Sequence, residues 1–218
     1  SHFLLIHDKL DENYVIYTRL DERGGFSIRE FCVNPSENLR ECMMRGRSTI
    51  LFSATLLPID YYKRLLGADQ EDYEVYARSV FDPRRKGLFI ADDVTSRYNR
   101  RSEAEYAHIA SYIHRITGQR EGNYMIFFPS HAFLQKVYEV YDKSYPQDPE
   151  RECLLQGEMM YEESREAFLE RFHQSQGKTL IGFCVLGGIF SEGIDLKNDS
   201  LIGALIVGTG LPMVCVER

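Results

Sequence analysis

The 218 residues contain no tryptophan, and no apolar run approaches the ~20 residues a helix needs to cross a bilayer. The longest apolar stretches are Thr179–Val185 and residues 204–207. The apolar start of the chain is broken by Asp8, Lys9, Asp11 and Glu12, so neither a spanning helix nor a secretory leader is expected. A cytoplasmic protein without a membrane partner is the expectation. Five cysteines (Cys32, Cys42, Cys153, Cys184, Cys215) form no C-x-x-C pair and show no zinc-like spacing with any of the six histidines. Reduced thiols and no metal site follow. Equally absent are a G-x-x-x-x-G-K-[ST] phosphate loop, an Asp-Glu-Ala-His-type metal motif and a G-x-S-x-G nucleophile elbow. Ser53, Ser130 and Ser191 have no sequence-evident histidine partner, and no G-x-G-x-x-G follows the first strand of a βαβ unit. A self-contained hydrolase or dinucleotide enzyme is thereby disfavoured.

Positive charge is also in deficit: 26 Lys and Arg against 33 Asp and Glu give a net charge of −7. Alone, that balance argues against a nucleic-acid binder. Phosphate contacts need only a local stripe, however. One exists, because Arg78, Arg84, Arg85, Lys86, Arg97, Arg100 and Arg101 all fall between positions 78 and 101. It reads either as a phosphate-facing patch or as a solvated basic face.

What is present is an ordinary globular composition, 44% hydrophobic and 27% charged, on a length suited to one α/β domain with an appendage. Residues 14–20 and 26–33 read as antiparallel strands around the turn Asp21-Glu22-Arg23-Gly24-Gly25. Asn34, Pro35 and Glu37 predict a helix start, with Gly46 as its stop. Residues 48–52 read as a buried strand, 58–66 as a helix closed by Gly67, and 73–77 and 87–91 as further strands. Residues 92–101 form an arginine-bearing loop. Ser102 and Glu105 then predict a capping box for a helix ending at Gly118. Strands are expected at 123–128, 152–155, 179–185 and 201–207, and helices at 131–143 and 162–173. Runs such as Met125-Ile126-Phe127-Phe128 are apolar on both faces, as buried parallel strands must be. The expected fold is α/β: a doubly wound, mainly parallel sheet with helices on both faces, preceded by a small antiparallel section. Residues 1–57 are assigned to that section and residues 58–218 to the main body.

In such a sheet, ligands gather at the carboxyl ends of the strands. Three polar clusters fall there: Ser53-Ala54-Thr55, Pro129-Ser130, and Gly187 to Asp195. The last holds three glycines with Ser191, Glu192 and Asp195. It can bring amides to phosphate oxygens or hold a hydroxyl-bearing ligand, and it can equally be a β-to-α turn with capping residues.

Ser53-Ala54-Thr55-Leu56 after an apolar run resembles helicase motif III. Phe127-Phe128-Pro129-Ser130 resembles motif IV, and Gly188-Ile189-Phe190-Ser191-Glu192-Gly193-Ile194-Asp195-Leu196 motif V, of the DinG/XPD group of superfamily 2 DNA helicases. Gln156-Gly157, the segment with Arg165, Leu169 and Phe172, and Ile206-Val207-Gly208-Thr209-Gly210-Leu211-Pro212 share that family's look. The resemblance runs from about residue 30 to 218, and the order and spacing make it specific.

The resemblance implies a second RecA-like motor lobe. Ser53 and Thr55 would couple nucleotide state to DNA, and Ser130 and Ser191 would touch the DNA strand, with Arg97 and Arg101 as further phosphate contacts. Glu192 and Gly193 would line the cleft between lobes, with Asp195 nearest the nucleotide. ATP and Mg²⁺ would be bound mainly by a first RecA-like lobe of the same polypeptide, and single-stranded or forked DNA would be the partner. Any iron–sulphur cluster would lie in that first lobe. The family's motif VI does not occur in the 218 residues. The expectation is therefore a lobe truncated before motif VI, inactive by itself, from a cytoplasmic (if bacterial, nucleoid-associated) DNA-repair helicase. The competing expectation is a non-catalytic α/β interaction module that keeps motor-like turns.

Overall fold

A computed structural model describes residues 2–8, 10–21, 24–53, 55–146, 149–174, 177–190 and 193–210. The chain divides into two compact units, Ser1–Gly87 with Val214–Arg218, and Leu88–Met213.

In the first unit a short helix, α1 (His2–His7), precedes the hairpin strands β1 (Tyr14–Leu20) and β2 (Phe26–Cys32). These pair antiparallel from Tyr14↔Cys32 to Leu20↔Phe26, as the alternation predicts. Asp21 closes the turn: its Oδ1 accepts the Gly25 amide at 2.6 Å, and Gly24 takes the left-handed φ of +79°. α2 (Ser36–Met43) begins one residue later than expected. Asn34 still acts there, its Oδ1 accepting the Ser36 amide at 3.2 Å, but the helix ends short of Gly46. α3 (Ile59–Leu66) ends on Gly67 at φ +74°, where a Cβ would sit 2.2 Å from the Ser36 carbonyl oxygen. Arg40 of α2 and Asp69, three residues beyond α3, form a paired contact of 2.8 and 3.1 Å.

Three expected strands do not form. Residues 48–52, 73–77 and 87–91 are not strands, and Phe52 and Phe89 are 90% and 93% exposed. Apolar, β-prone residues become a strand only beside an edge that takes their backbone hydrogen bonds. No described strand lies beside these three.

The second unit opens with the arginine-bearing segment and then α4 (Glu103–Thr117). The Ser102 hydroxyl caps α4 by accepting the Glu105 amide at 3.2 Å. The reciprocal half of the capping box is replaced: Glu105 accepts the Thr95 amide instead, pinning the preceding loop. β3 (Asn123–Phe128), α5 (His131–Ser144), β4 (Arg151–Leu155), α6 (Glu162–Gln174), β5 (Thr179–Val185) and β6 (Gly203–Ile206) follow. All four strands are parallel, in the order β4-β5-β3-β6, with Asn123 opposite Leu180 and Arg151 opposite Thr179.

Strand alternation builds three layers. Tyr124, Ile126 and Phe128 of β3 and Ile181, Phe183 and Val185 of β5 pack with Ile109, Ile113, Phe133, Val137 and Tyr141 of α4 and α5. Met125, Leu180 and Cys184 point the other way and pack with Phe168 and Phe172 of α6. The expected parallel sheet with helices on both faces is what the chain builds. Gly182 permits it, since a Cβ there would lie 2.8 Å from Phe172 and 3.2 Å from Phe168.

Two outcomes follow. Gly182→Val forces a branched side chain against both rings, and denaturant unfolding should show a loss of about 1–3 kcal/mol. Burial pushes the thiols of Cys153 and Cys184 up to about 11 and about 12, while Cys42 is exposed. Because the thiolate is the reactive form, an aromatic-disulfide reagent near pH 8 should modify Cys42 quickly and the other two only on unfolding.

Candidate functional site

Parallel strands end on one edge, so β3, β4, β5 and β6 deliver their following residues to a single rim. Backbone hydrogen bonds hold those residues together: the Leu186 amide donates to the Phe128 carbonyl at 2.8 Å, Val207 to Phe127 at 2.8 Å, and Gln156 to Phe183 at 2.8 Å.

Pro129 and Ser130 follow β3, between the ends of β5 and β6. Ser130 is extended and its hydroxyl caps α5, accepting the Phe133 amide at 3.3 Å. The hydroxyl's own proton is a donor that the cap does not use. Beside it, a Cβ on Gly208 (φ +102°) would lie 2.6 Å from the Ser96 hydroxyl and 3.2 Å from Pro129. The arginine-bearing loop, the Pro129-Ser130 turn and the end of β6 therefore come together. The loop is strapped down further: Asp93 accepts the Tyr112 hydroxyl at 2.6 Å and lies 3.3 Å from His108. The Tyr112 bond, first among the causes, holds the Asp93 carboxyl below the usual carboxylate range. Arg101 is partly committed to structure, donating from Nε to the Ser96 carbonyl at 3.2 Å with its guanidinium 4.0 Å above the Phe133 ring. Arg97 is exposed, and its amide donates to the Thr95 hydroxyl at 3.3 Å.

The glycine-rich loop after β5 occupies the middle of the rim. Gly187 and Gly193 take φ of +70° and +68°, where only glycine is unstrained. Phe190 is buried against Phe168, with ring centroids 4.4 Å apart. Arg165 of α6 donates to the carbonyls of Ile189 (3.2 Å) and Gly193 (3.1 Å). Asp195 is exposed and paired with Lys197 at 3.0 Å. Ser191 and Glu192 lie outside the described residues. Gln156, at the end of β4, turns its Oε1 to the Val185 amide at 2.9 Å and packs under Gly188. It also lines a shallow cleft of about 210 Å³ with Met159, Tyr161 and Ile189. Spacing did not assign the loop-bracing roles of Gln156 and Arg165; a Gln-Gly pair closing a strand was the signal for the first.

Ser53 and Thr55 belong to the other unit. Their hydroxyls are 3.3 Å apart and the Thr55 amide donates to Ser53 Oγ at 3.2 Å, a self-contained turn with both residues exposed. Ala54 lies outside the described residues. Among the described residues, no three His, Cys, Asp or Glu side chains gather as a metal-binding group.

The helicase C-terminal domain family matches residues 113–216, the stretch that builds this sheet and its rim. The match covers 104 of the 218 residues, and over that stretch the chain is similar to a helicase C-terminal domain. Among curated relatives, an ATP-dependent DNA helicase XPD of Sulfolobus acidocaldarius is 29% identical over 173 residues, covering 76% of this chain and 28% of the relative. An ATP-dependent DNA helicase CHL1 of Scheffersomyces stipitis is 22% identical over 213 residues, covering 87% of this chain and 24% of that one. A regulator of telomere elongation helicase 1 homolog of Caenorhabditis briggsae is 25% identical over 231 residues, covering 94% and 22%. The chain thus spans about a quarter of the length of these relatives. A solved apo XPD structure superposes with a TM-score of 0.58 at 23% identity over 97% of this chain and 40% of its own, which fixes the fold.

Gln156→Ala removes the side-chain acceptor of the buried Val185 amide. The expected cost is about 1–3 kcal/mol, read from denaturant midpoints; an unchanged midpoint removes Gln156 from the rim's support.

Proposed function

We propose that this lobe is the second motor lobe of an ATP-dependent DNA helicase, gripping single-stranded DNA along its carboxyl rim. The observation carrying this reading is the gathering of the Pro129-Ser130 turn, the glycine-rich loop, Gly208 and the arginine-bearing loop on one edge. These groups are hydroxyls, amides and guanidinium groups. Such donors hold phosphate rather than base edges, which suits a motor that must grip any sequence and release it.

Ser130, Ser191, Arg97 and Arg101 take the DNA backbone in this reading. Glu192, Gly193 and Asp195 face the nucleotide, and the Ser53–Thr55 turn couples the two. Nothing in the 218 residues resembles a phosphate loop. ATP and Mg²⁺ are therefore assigned mainly to a first RecA-like lobe, and no iron–sulphur cluster is assigned to this chain. Residues 1–57 form the junction with that first lobe and residues 58–218 the second lobe. Phe3, Leu4, Leu5, Ile50 and Phe52, all exposed, are apolar surface suited to such a junction. The chain alone does not turn over ATP. Forked or single-stranded DNA is the substrate, and repair in the cytoplasm or nucleoid the setting.

The test uses the complete protein. Its ATPase should rise on adding single-stranded DNA, and Thr55→Ala and Glu192→Ala should each lose that stimulation. Arg97→Ala should weaken binding across all sequences and reduce the slope of log affinity against log salt by about 0.7. An ATPase indifferent to DNA, together with no DNA binding, would favour a non-catalytic interaction module instead.

A further inference from the structure

We infer that Arg165 is the positioning residue of the glycine-rich loop, tying the Ile189 and Gly193 carbonyls to α6. The part of this inference that concerns DNA and nucleotide rests on the helicase reading above; the clamp itself does not.

Its chemistry is that of a planar donor fork. Nε donates to the Ile189 carbonyl at 3.2 Å and Nη2 to the Gly193 carbonyl at 3.1 Å, so one guanidinium bridges two acceptors four residues apart. Nη1 is taken up by Glu162, one turn earlier on α6, at 2.8 Å. The side chain is 20% exposed, so its bonds are partly shielded from water. A lysine has a single ammonium on a flexible stem and cannot present the same rigid pair.

A second anchor keeps the loop attached when the clamp is removed. Phe168, three residues along α6 and on the same face, packs on Phe190, which is buried. Apolar burial fixes where the loop lies, and the arginine fixes the Ile189 and Gly193 carbonyls. Gly193 completes the arrangement, because its left-handed φ of +68° turns the chain at the second clamped carbonyl.

The experiment compares Arg165→Ala, Arg165→Lys and Glu162→Ala in the complete protein by two readouts. One is amide hydrogen exchange in peptides covering residues 186–195. The other is the concentration of single-stranded oligothymidylate giving half-maximal ATPase stimulation. Arg165→Ala should speed exchange in that loop at least about tenfold and raise the half-stimulating concentration by a similar factor. Arg165→Lys should fall between, and Glu162→Ala, which keeps both carbonyl bonds, should stay close to wild type. Unchanged loop exchange in Arg165→Ala overturns the clamp. So does faster exchange spread evenly over residues 88–213, which marks general destabilisation. A wild-type protein that DNA does not stimulate overturns the helicase reading instead, and the exchange measurement, which needs no DNA, then decides the clamp alone.

Discussion

All seven residues of β5 are buried, so its backbone polar groups must find partners in the neighbouring strands. β3 and β4 supply them, both parallel to β5, and this one constraint orders the rest of the second unit. A parallel pair cannot be closed by a tight turn, so each connection crosses a face of the sheet and brings a helix with it. Alternate side chains then face α4 and α5 on one side and α6 on the other. The buried strand is thus the cause of the three layers as well as their centre.

The rim is a consequence of the same geometry. Four chains leaving in one direction must turn at nearly the same height, where space is short and backbone groups lose their ladder partners. Glycines at 187, 193 and 208 make those turns without strain. Side chains take over the hydrogen bonding that the ladder can no longer give: Ser130 for the start of α5, Gln156 for Val185, Arg165 for Ile189 and Gly193. A surface rich in amides, hydroxyls and guanidinium groups results. That is the composition needed to hold a phosphate chain, and it follows from how the sheet ends.

Much of this was readable from local pattern. The hairpin, the Ser102 cap of α4, the strands around 123–128 and 179–185, and the helices after Ser130 and before Gly177 all rest on signals within a few residues. What escaped has a long-range cause. Residues 48–52, 73–77 and 87–91 are composed like strands, but composition does not say which edge will receive them, and none is there to do so. Arg101 reads as a free cation, yet it lies over Phe133, 32 positions away in the sequence. Arg165 and Gln156 act on backbone groups 24 to 29 positions distant, and a carbonyl leaves no trace in the letter of its residue. Ser130 shows the other difficulty, since one hydroxyl serves both as helix cap and as candidate phosphate donor.

The loop after β5 also shows how two kinds of force divide the work. Burying an aromatic ring such as Phe190 contributes on the order of 1.5–3 kcal/mol, is non-directional, and tolerates small sliding of the ring over Phe168. Each hydrogen bond from Arg165, an ionised donor, contributes roughly 1.5–3 kcal/mol net when shielded, and less where water competes. Its energy falls steeply once the angle is wrong. Packing therefore decides that the loop stays on the sheet, and the arginine decides its outline. A loop that presents polar groups at a sheet edge needs both properties: it has to stay attached, and its groups have to be held in direction. Energy alone can secure the first, whereas the second requires direction, which the fork of donors on α6 supplies here.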